Sequence, residues 1–213
     1  MEARFAEVLH QYCKEHSSNQ DELLWKLERE THLKTLAPQM ISGPLQGKLL
    51  EFLSKMIQPT NALEIGTFTG YSALCLAKGL QQNGKLTTIE VNRELTPIIK
   101  KYIELAGYED HIHLVIGKAE ECIPTLPDSH FDLVFIDAGK KQYQEHYDLV
   151  LPKLRSGGWI LCDNVLWSGK VINSYPDKET AAIHTFNNYV ASDDRVEKVL
   201  LPLRDGLYII RKK

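Results

Sequence analysis

From residue 61 onward, short β-branched or apolar runs alternate with amphipathic helical stretches, and this alternation restricts the chain to a few architectures. The runs are ALEIG (62–66), KLTTIEV (85–91), IHLVIG (112–117), FDLVFID (131–137), WILCDN (159–164), VEKVLLPL (196–203) and GLYIIRK (206–212). Helical patterns fill the gaps at about 70–81, 93–107, 119–125, 141–154 and 178–192. Such alternation predicts a parallel sheet covered on both faces. Only Arg204 and Asp205 separate the last two runs, which permits a hairpin and forbids a parallel crossover. The expected fold is α/β and Rossmann-like. Its seven-stranded sheet is mostly parallel, with one antiparallel strand at the C-terminal end and helices on both faces.

Residues 1–36 read as two short helices, the second capped by the break at Ser17, Ser18 and Asn19. A Pro/Gly loop follows at 37–43, and Pro44 suits the N1 position of PLQGKLLEFLSKMI. The 213 residues suit one domain, with 1–36 as a helical extension expected to serve the acceptor site or dimer contacts. A net charge of -3 and the lack of a basic cluster argue against nucleic acid. The stretch MEARFAEVLHQYCKEH has no apolar h-region, and no run approaches the ~18 apolar residues of a membrane span. Cys13, Cys75, Cys122 and Cys162 form no CxxC pair, so neither a zinc site nor a disulfide framework is expected. A cytoplasmic location fits that cysteine usage.

Ligands of open α/β sheets bind beyond the carboxyl ends of the strands. The first strand runs into Gly66-Thr67-Phe68-Thr69-Gly70-Tyr71-Ser72. Gly66 and Gly70 allow a tight turn and close approach to a ligand, and the next helix opens with free N–H groups. The spacing is G-x-x-x-G, which lacks the third glycine of a dinucleotide site. Glu90, at the end of the second strand, can accept hydrogen bonds from both ribose hydroxyls; it can equally be a solvent-facing acid. Glu64 lies inside an apolar strand and needs a partner: backbone N–H groups, or the amino group of an amino-acid-like cofactor tail.

The fourth and fifth strands end in Asp137 and in Asp163-Asn164. Adjacent strands would gather two carboxylates and an amide oxygen, hard ligands suited to Mg²⁺, Ca²⁺ or Mn²⁺. The same residues can also simply cap helices or form Asx turns. Lys140 can be a base beside that cation or an ordinary surface lysine at a helix start.

The sequence resembles the cation-dependent O-methyltransferases, the group containing catechol and caffeoyl-CoA O-methyltransferases, and especially their small bacterial relatives. The likeness covers about residues 37–213. Its anchors are MISGPLQGKLL, LEIGTFTGYSAL, TTIEVN, FDLVFIDAGKKQY, GGWILCDNVLWSGKV and LPLRDGLYIIRKK. The resemblance implies the S-adenosylmethionine (SAM)-dependent methyltransferase fold and methyl transfer to a hydroxyl of a catechol-type, small-molecule phenolic acceptor. It implies that Met40, Glu64, Gly66, Thr67, Ser72, Glu90, Ala119 and Asp137 contact SAM, Glu90 at the ribose and Ala119 at the adenine. Asp137, Asp163 and Asn164 would hold a divalent cation, Mg²⁺ first, with Ca²⁺ or Mn²⁺ possible. Lys140 would be the general base, and Met40, Tyr143 and Trp167 would border the acceptor. A homodimer is also expected on this likeness.

Ala138 stands where animal catechol enzymes carry a histidine, and Gly139 where many plant relatives carry an acid. The acceptor pocket is expected to be shaped by the N-terminal segment and by residues 171–178, with Tyr175 a further aromatic wall. Two other functions fit part of the pattern. A nicotinamide-dependent oxidoreductase shares the glycine turn and Glu90 but leaves the metal triad unexplained. A non-catalytic SAM-binding module would act through its N-terminal helices.

Overall fold

The computed structural model describes residues 2–174 and 177–213, with side chains described from residue 8. The strands are β1 (Asn61–Ile65), β2 (Lys85–Glu90), β3 (Ile112–Ile116), β4 (Phe131–Ile136), β5 (Leu154–Asp163), β6 (Val196–Leu201) and β7 (Leu207–Lys212). They form one sheet in the order β3-β2-β1-β4-β5-β7-β6. β7 runs antiparallel to both neighbours. It therefore sits inside the sheet, and β6 is the edge strand. The helices are α1 (Glu2–Glu15), α2 (Glu22–Lys34), α3 (Gly43–Ile57), α4 (Tyr71–Ala77), α5 (Thr96–Leu105), α6 (Ala119–Cys122), α7 (Tyr143–Val150) and α8 (Lys178–Ala191).

Period-two alternation sends neighbouring strand residues to opposite faces. Leu63, Ile65, Val134 and Ile136 pack with Tyr143 and Tyr147 of α7 and Ile183 and Phe186 of α8. Ala62, Leu133, Phe135 and Leu161 pack with Leu27, Leu50, Leu74 and Ile99 from α2 to α5. By the same parity Glu64 shares the α4 face with Ala62. β1 pairs with both β2 and β4, so strand order reverses between β1 and β4. That reversal opens the crevice in which α/β sheets bind ligands.

Several boundaries differ from the sequence reading. The cap of α2 is Asp21, whose side chain accepts from Leu24 N at 2.8 Å, rather than Ser17–Asn19. The helix expected at 70–81 ends at Ala77. Pro97 and Pro124 each lie where a 3₁₀ turn and an α-helix meet within one expected helix. β5 starts at Leu154, where a helix was expected, and an irregular register bridges to Trp159 through Gly157 at φ +76°. A Ser-Gly-Gly stretch carries no apolar periodicity, which hides this early pairing from a sequence reading. Cys75 and Cys162 are buried, Cys13 is exposed, and all four thiols are free. Among the described residues, no helix is long and apolar enough to cross a membrane.

Candidate active site

β1, β2, β4 and β5 end at one edge of the sheet, beside a cavity of about 780 Å³. Met40, Gly66, Thr67, Ser72, Glu90, Ala119, Asp137, Lys140, Asp163, Asn164 and Trp167 all line it. Glu64 and Tyr143 do not. Among the described residues, none before Gln39 and none at 171–178 lines the cavity, although Glu179 does. Tyr175 lies outside the described residues.

The glycine turn is dictated first by packing. Gly66 has φ +97°, and a Cβ added there would stand 2.0 Å from the carbonyl oxygen of Asp137. Only glycine lets β1 and β4 approach so closely where they end. Phe68, at φ +50°, donates its N–H to Glu90 Oε2 at 2.7 Å, and Asn92 N donates to Oε1 at 2.8 Å. Two backbone donors thus aim Glu90 at the cavity, and each carboxylate oxygen keeps a free lone pair.

Glu64 is fully buried. Thr88 Oγ1 donates to its Oε2, while Oε1 has no hydrogen-bond partner. Burial pushes its carboxyl up to about 8, although the Ser72 and Thr88 hydroxyls favour the anion.

Two members of the expected triad, Asp137 and Asn164, share one cationic neighbour. Lys140 Nζ donates to Asp137 Oδ1 at 2.9 Å and to Asn164 Oδ1 at 2.7 Å. Two of the three oxygens therefore meet at one cationic point, which in this structure is an ammonium. Asp163 is 3% exposed, and its Oδ1 accepts from Asn164 N at 2.8 Å. Burial, then the neighbouring Asp137 carboxylate, pushes the Asp163 carboxyl up. Asn164, Trp167 and Ser168 all have positive φ. Backbone strain of this kind collects at functional sites. Among the described residues, no group of three His, Cys, Asp or Glu side chains is placed to hold a metal. The set present is two carboxylates completed by an amide, whose hard oxygens fit a divalent cation.

Tyr143 corrects the sequence reading of it as an acceptor wall. It is fully buried beneath the site. Its hydroxyl accepts from Lys140 Nζ and donates to the Asp163 carbonyl, each at 2.8 Å. The hydroxyl ties α7 to β5 and props Lys140, while the ring packs edge-on against Phe186 of α8 in the core. Trp167 does line the cavity, as do Phe68 and Tyr71, and Lys140 Nζ lies 5.9 Å from the Trp167 ring centre.

Sequence reasoning missed other lining residues. His146 Nε2 lies 3.2 Å from Glu120 Oε1 next to Ala119, and burial pushes the imidazole pKa down. Arg204 reaches back to Gln46 Oε1 at 2.7 Å and to the carbonyl of Ser42. No local pattern announces a contact between residues 162 apart.

The profile of the O-methyltransferase family matches residues 14–213. The chain belongs to this O-methyltransferase family. A caffeoyl-CoA O-methyltransferase of Stellaria longipes is 30% identical, over 97% of this chain and 91% of that relative. A catechol O-methyltransferase of Niastella koreensis is 32% identical, over 78% of this chain and 77% of the relative. The solved O-methyltransferase of Bacillus cereus, in complex with SAH (S-adenosylhomocysteine), superposes with a TM-score of 0.89 at 30% identity, covering 97% of each chain. The sheet is that of the SAM-dependent methyltransferases, as the sequence led us to expect. Membership of an O-methyltransferase family removes both the nicotinamide-dependent oxidoreductase and the non-catalytic module as readings of this chain.

Proposed function

We propose that this O-methyltransferase transfers the methyl group of SAM to one hydroxyl of a vicinal-diol phenol, with a divalent cation held by Asp137, Asp163 and Asn164. The observation that carries this reading is that Asp137 Oδ1 and Asn164 Oδ1 both accept from the Lys140 ammonium at the cavity wall, so the two oxygens face a common positive group. The names of the relatives, catechol and caffeoyl-CoA O-methyltransferases, support the acceptor class.

Each residue has a chemical task. Glu90, pinned by Phe68 and Asn92, accepts the two ribose hydroxyls. Glu64, with Oε1 free, meets the cofactor's ammonium, and the gain in charge pairing offsets its burial. Ala119 presents main chain to the adenine, and Thr67 and Ser72 present hydroxyls at the turn. Met40 and Trp167 border the junction of donor and acceptor. Lys140, once in its neutral amine form, would accept the phenolic proton, and the methyl group would pass from SAM to that oxygen with SAH as the leaving product. When bound, the cation, Mg²⁺ first and Ca²⁺ or Mn²⁺ as alternatives, stabilises the developing phenolate as a Lewis acid.

A homodimer belongs to the same reading, because Leu33, Phe52 and Met56 expose apolar surface. The four free thiols suit a cytoplasmic setting. The deciding experiment is a methyl-transfer screen of vicinal-diol and single-hydroxyl phenols with SAM, using EDTA-stripped protein with and without Mg²⁺, Ca²⁺ or Mn²⁺. Transfer confined to diols and restored by metal is expected. Equal transfer without metal overturns the metal role, and equal transfer to single-hydroxyl phenols overturns the acceptor class.

A further inference from the structure

Thr88 is fully buried in β2, and a buried hydroxyl needs partners. The register sets Thr88 directly beside Glu64 of β1, and period-two alternation puts both on the α4 face of the sheet. Thr88 Oγ1 donates to Glu64 Oε2. Its second contact is Thr67 Oγ1, just beyond the end of β1. A hydroxyl carries one proton, and Thr88 spends its own on the carboxylate. Thr67 must therefore donate to Thr88. Thr67 lines the cavity, so a chain of two hydroxyls runs in one direction, from the cofactor turn to the buried acid. It ends on Oε2 and leaves Oε1 without a partner.

We propose that Thr88 is a positioning residue for Glu64: its hydroxyl holds Oε2 and leaves Oε1 as the oxygen that meets the cofactor's ammonium. The inference deepens the reading of Glu64 as the partner of that ammonium, and it rests on that reading. Burial and the Asp137 and Glu90 carboxylates oppose a charge on Glu64, whereas the Thr88 hydroxyl favours it. Without that hydroxyl, Oε2 would be a second unpaired oxygen on a fully buried side chain, and the carboxylate would lose the bond that fixes its orientation. Thr88 lines no part of the cavity, so it acts on the cofactor through Glu64.

The test compares two ligands by calorimetry on the full chain without metal, with thermal melting alongside. SAH carries the amino-acid tail. 5′-Methylthioadenosine keeps the adenosine and the thioether and lacks the tail. Thr88→Val removes the hydroxyl and nearly keeps the shape. It should weaken SAH roughly 10–100-fold, the worth of a hydrogen bond to a charged group, and leave methylthioadenosine within about twofold of wild type. Thr88→Ser keeps a hydroxyl and should recover most of that loss. In a Glu64→Gln background, Thr88→Val should cost little further SAH affinity, since Thr88 acts through Glu64. Should Thr88→Val melt early, Thr88→Cys tests the same site with a weak donor of similar size. A folded Thr88→Val or Thr88→Cys with wild-type SAH affinity overturns the proposal. An equal loss for both ligands overturns it too, because the whole turn has then loosened. Unchanged SAH affinity in Glu64→Gln is a different result, and it overturns the ammonium reading along with the proposal.

Discussion

Lys140 Nζ donates to Asn164 Oδ1 at 2.7 Å, so the residue proposed as base rests on an oxygen proposed as a metal ligand. Asp137 Oδ1, at 2.9 Å, closes the same nest. Two positive groups compete for these oxygens. Lys140→Met should therefore bind Mn²⁺ at least as tightly as wild type while losing ~10²–10⁴-fold in kcat, the usual worth of a general base. Titration of Mn²⁺ alongside steady-state kinetics checks both halves. Full kcat across the pH range removes Lys140 as the base.

Asp163→Ala should abolish metal-stimulated transfer and leave SAH affinity nearly unchanged, because Asp163 sits at the end of β5, across the cavity from Glu90 at the end of β2. Activity assays with controlled EDTA and Mg²⁺, plus SAH calorimetry, read the two effects separately. Unaffected methylation would contradict the metal role.

Glu64 couples stability to pH. Burial raises its carboxyl to about 8 in the folded chain, from an ordinary 4.5. Between these values the folded state holds a proton that the unfolded state releases. Its contribution to stability is thus complete below about pH 4.5 and fades as pH rises toward 8. Glu64→Gln should melt close to wild type at pH 5 and several degrees higher at pH 8, because most of the linked stability is lost across that interval. The same change should weaken SAM, because an amide cannot pair with the ammonium as a carboxylate does. Parallel melting curves at both pH values would refute the linkage.

Gly66→Ala should cost ~2–4 kcal/mol, from a positive φ combined with a clash against backbone that cannot move aside. The clashing atom is the carbonyl oxygen of Asp137, so residual activity should fall more than residual fold. Urea unfolding compared with metal-dependent kcat checks this. A stability close to wild type would mean that β1 and β4 separate more easily than their packing implies.

Glu90→Gln should lower SAH affinity ~10-fold or more, since the amide keeps one acceptor oxygen and loses charge-assisted bonds to the ribose. Phe68 N or Asn92 N then loses a carboxylate acceptor, which loosens the turn as well. Calorimetry with SAH measures the loss, and an unchanged Kd would place the ribose elsewhere.

The order of strands and helices was legible along the chain, because hydrophobic period reports local structure directly. So was the hairpin, since Arg204 and Asp205 leave no room for a crossover. The residues at the strand ends could be named too: Glu90, Asp137, Asp163 and Asn164 all fall where a doubly wound sheet places its ligands. Tertiary structure alone decided how those residues are used. It put Tyr143 under the site rather than on its wall, because core packing claims the ring while only the hydroxyl reaches Lys140. It added a packing requirement to Gly66, visible only when β4 lies against β1. It brought Arg204 across 158 residues to Gln46 and 162 to Ser42, a contact set by chain closure. Periodicity encodes what a residue's near neighbours dictate. The pairing of charges and amides at the end of the sheet depends on distances that exist only once the sheet has formed.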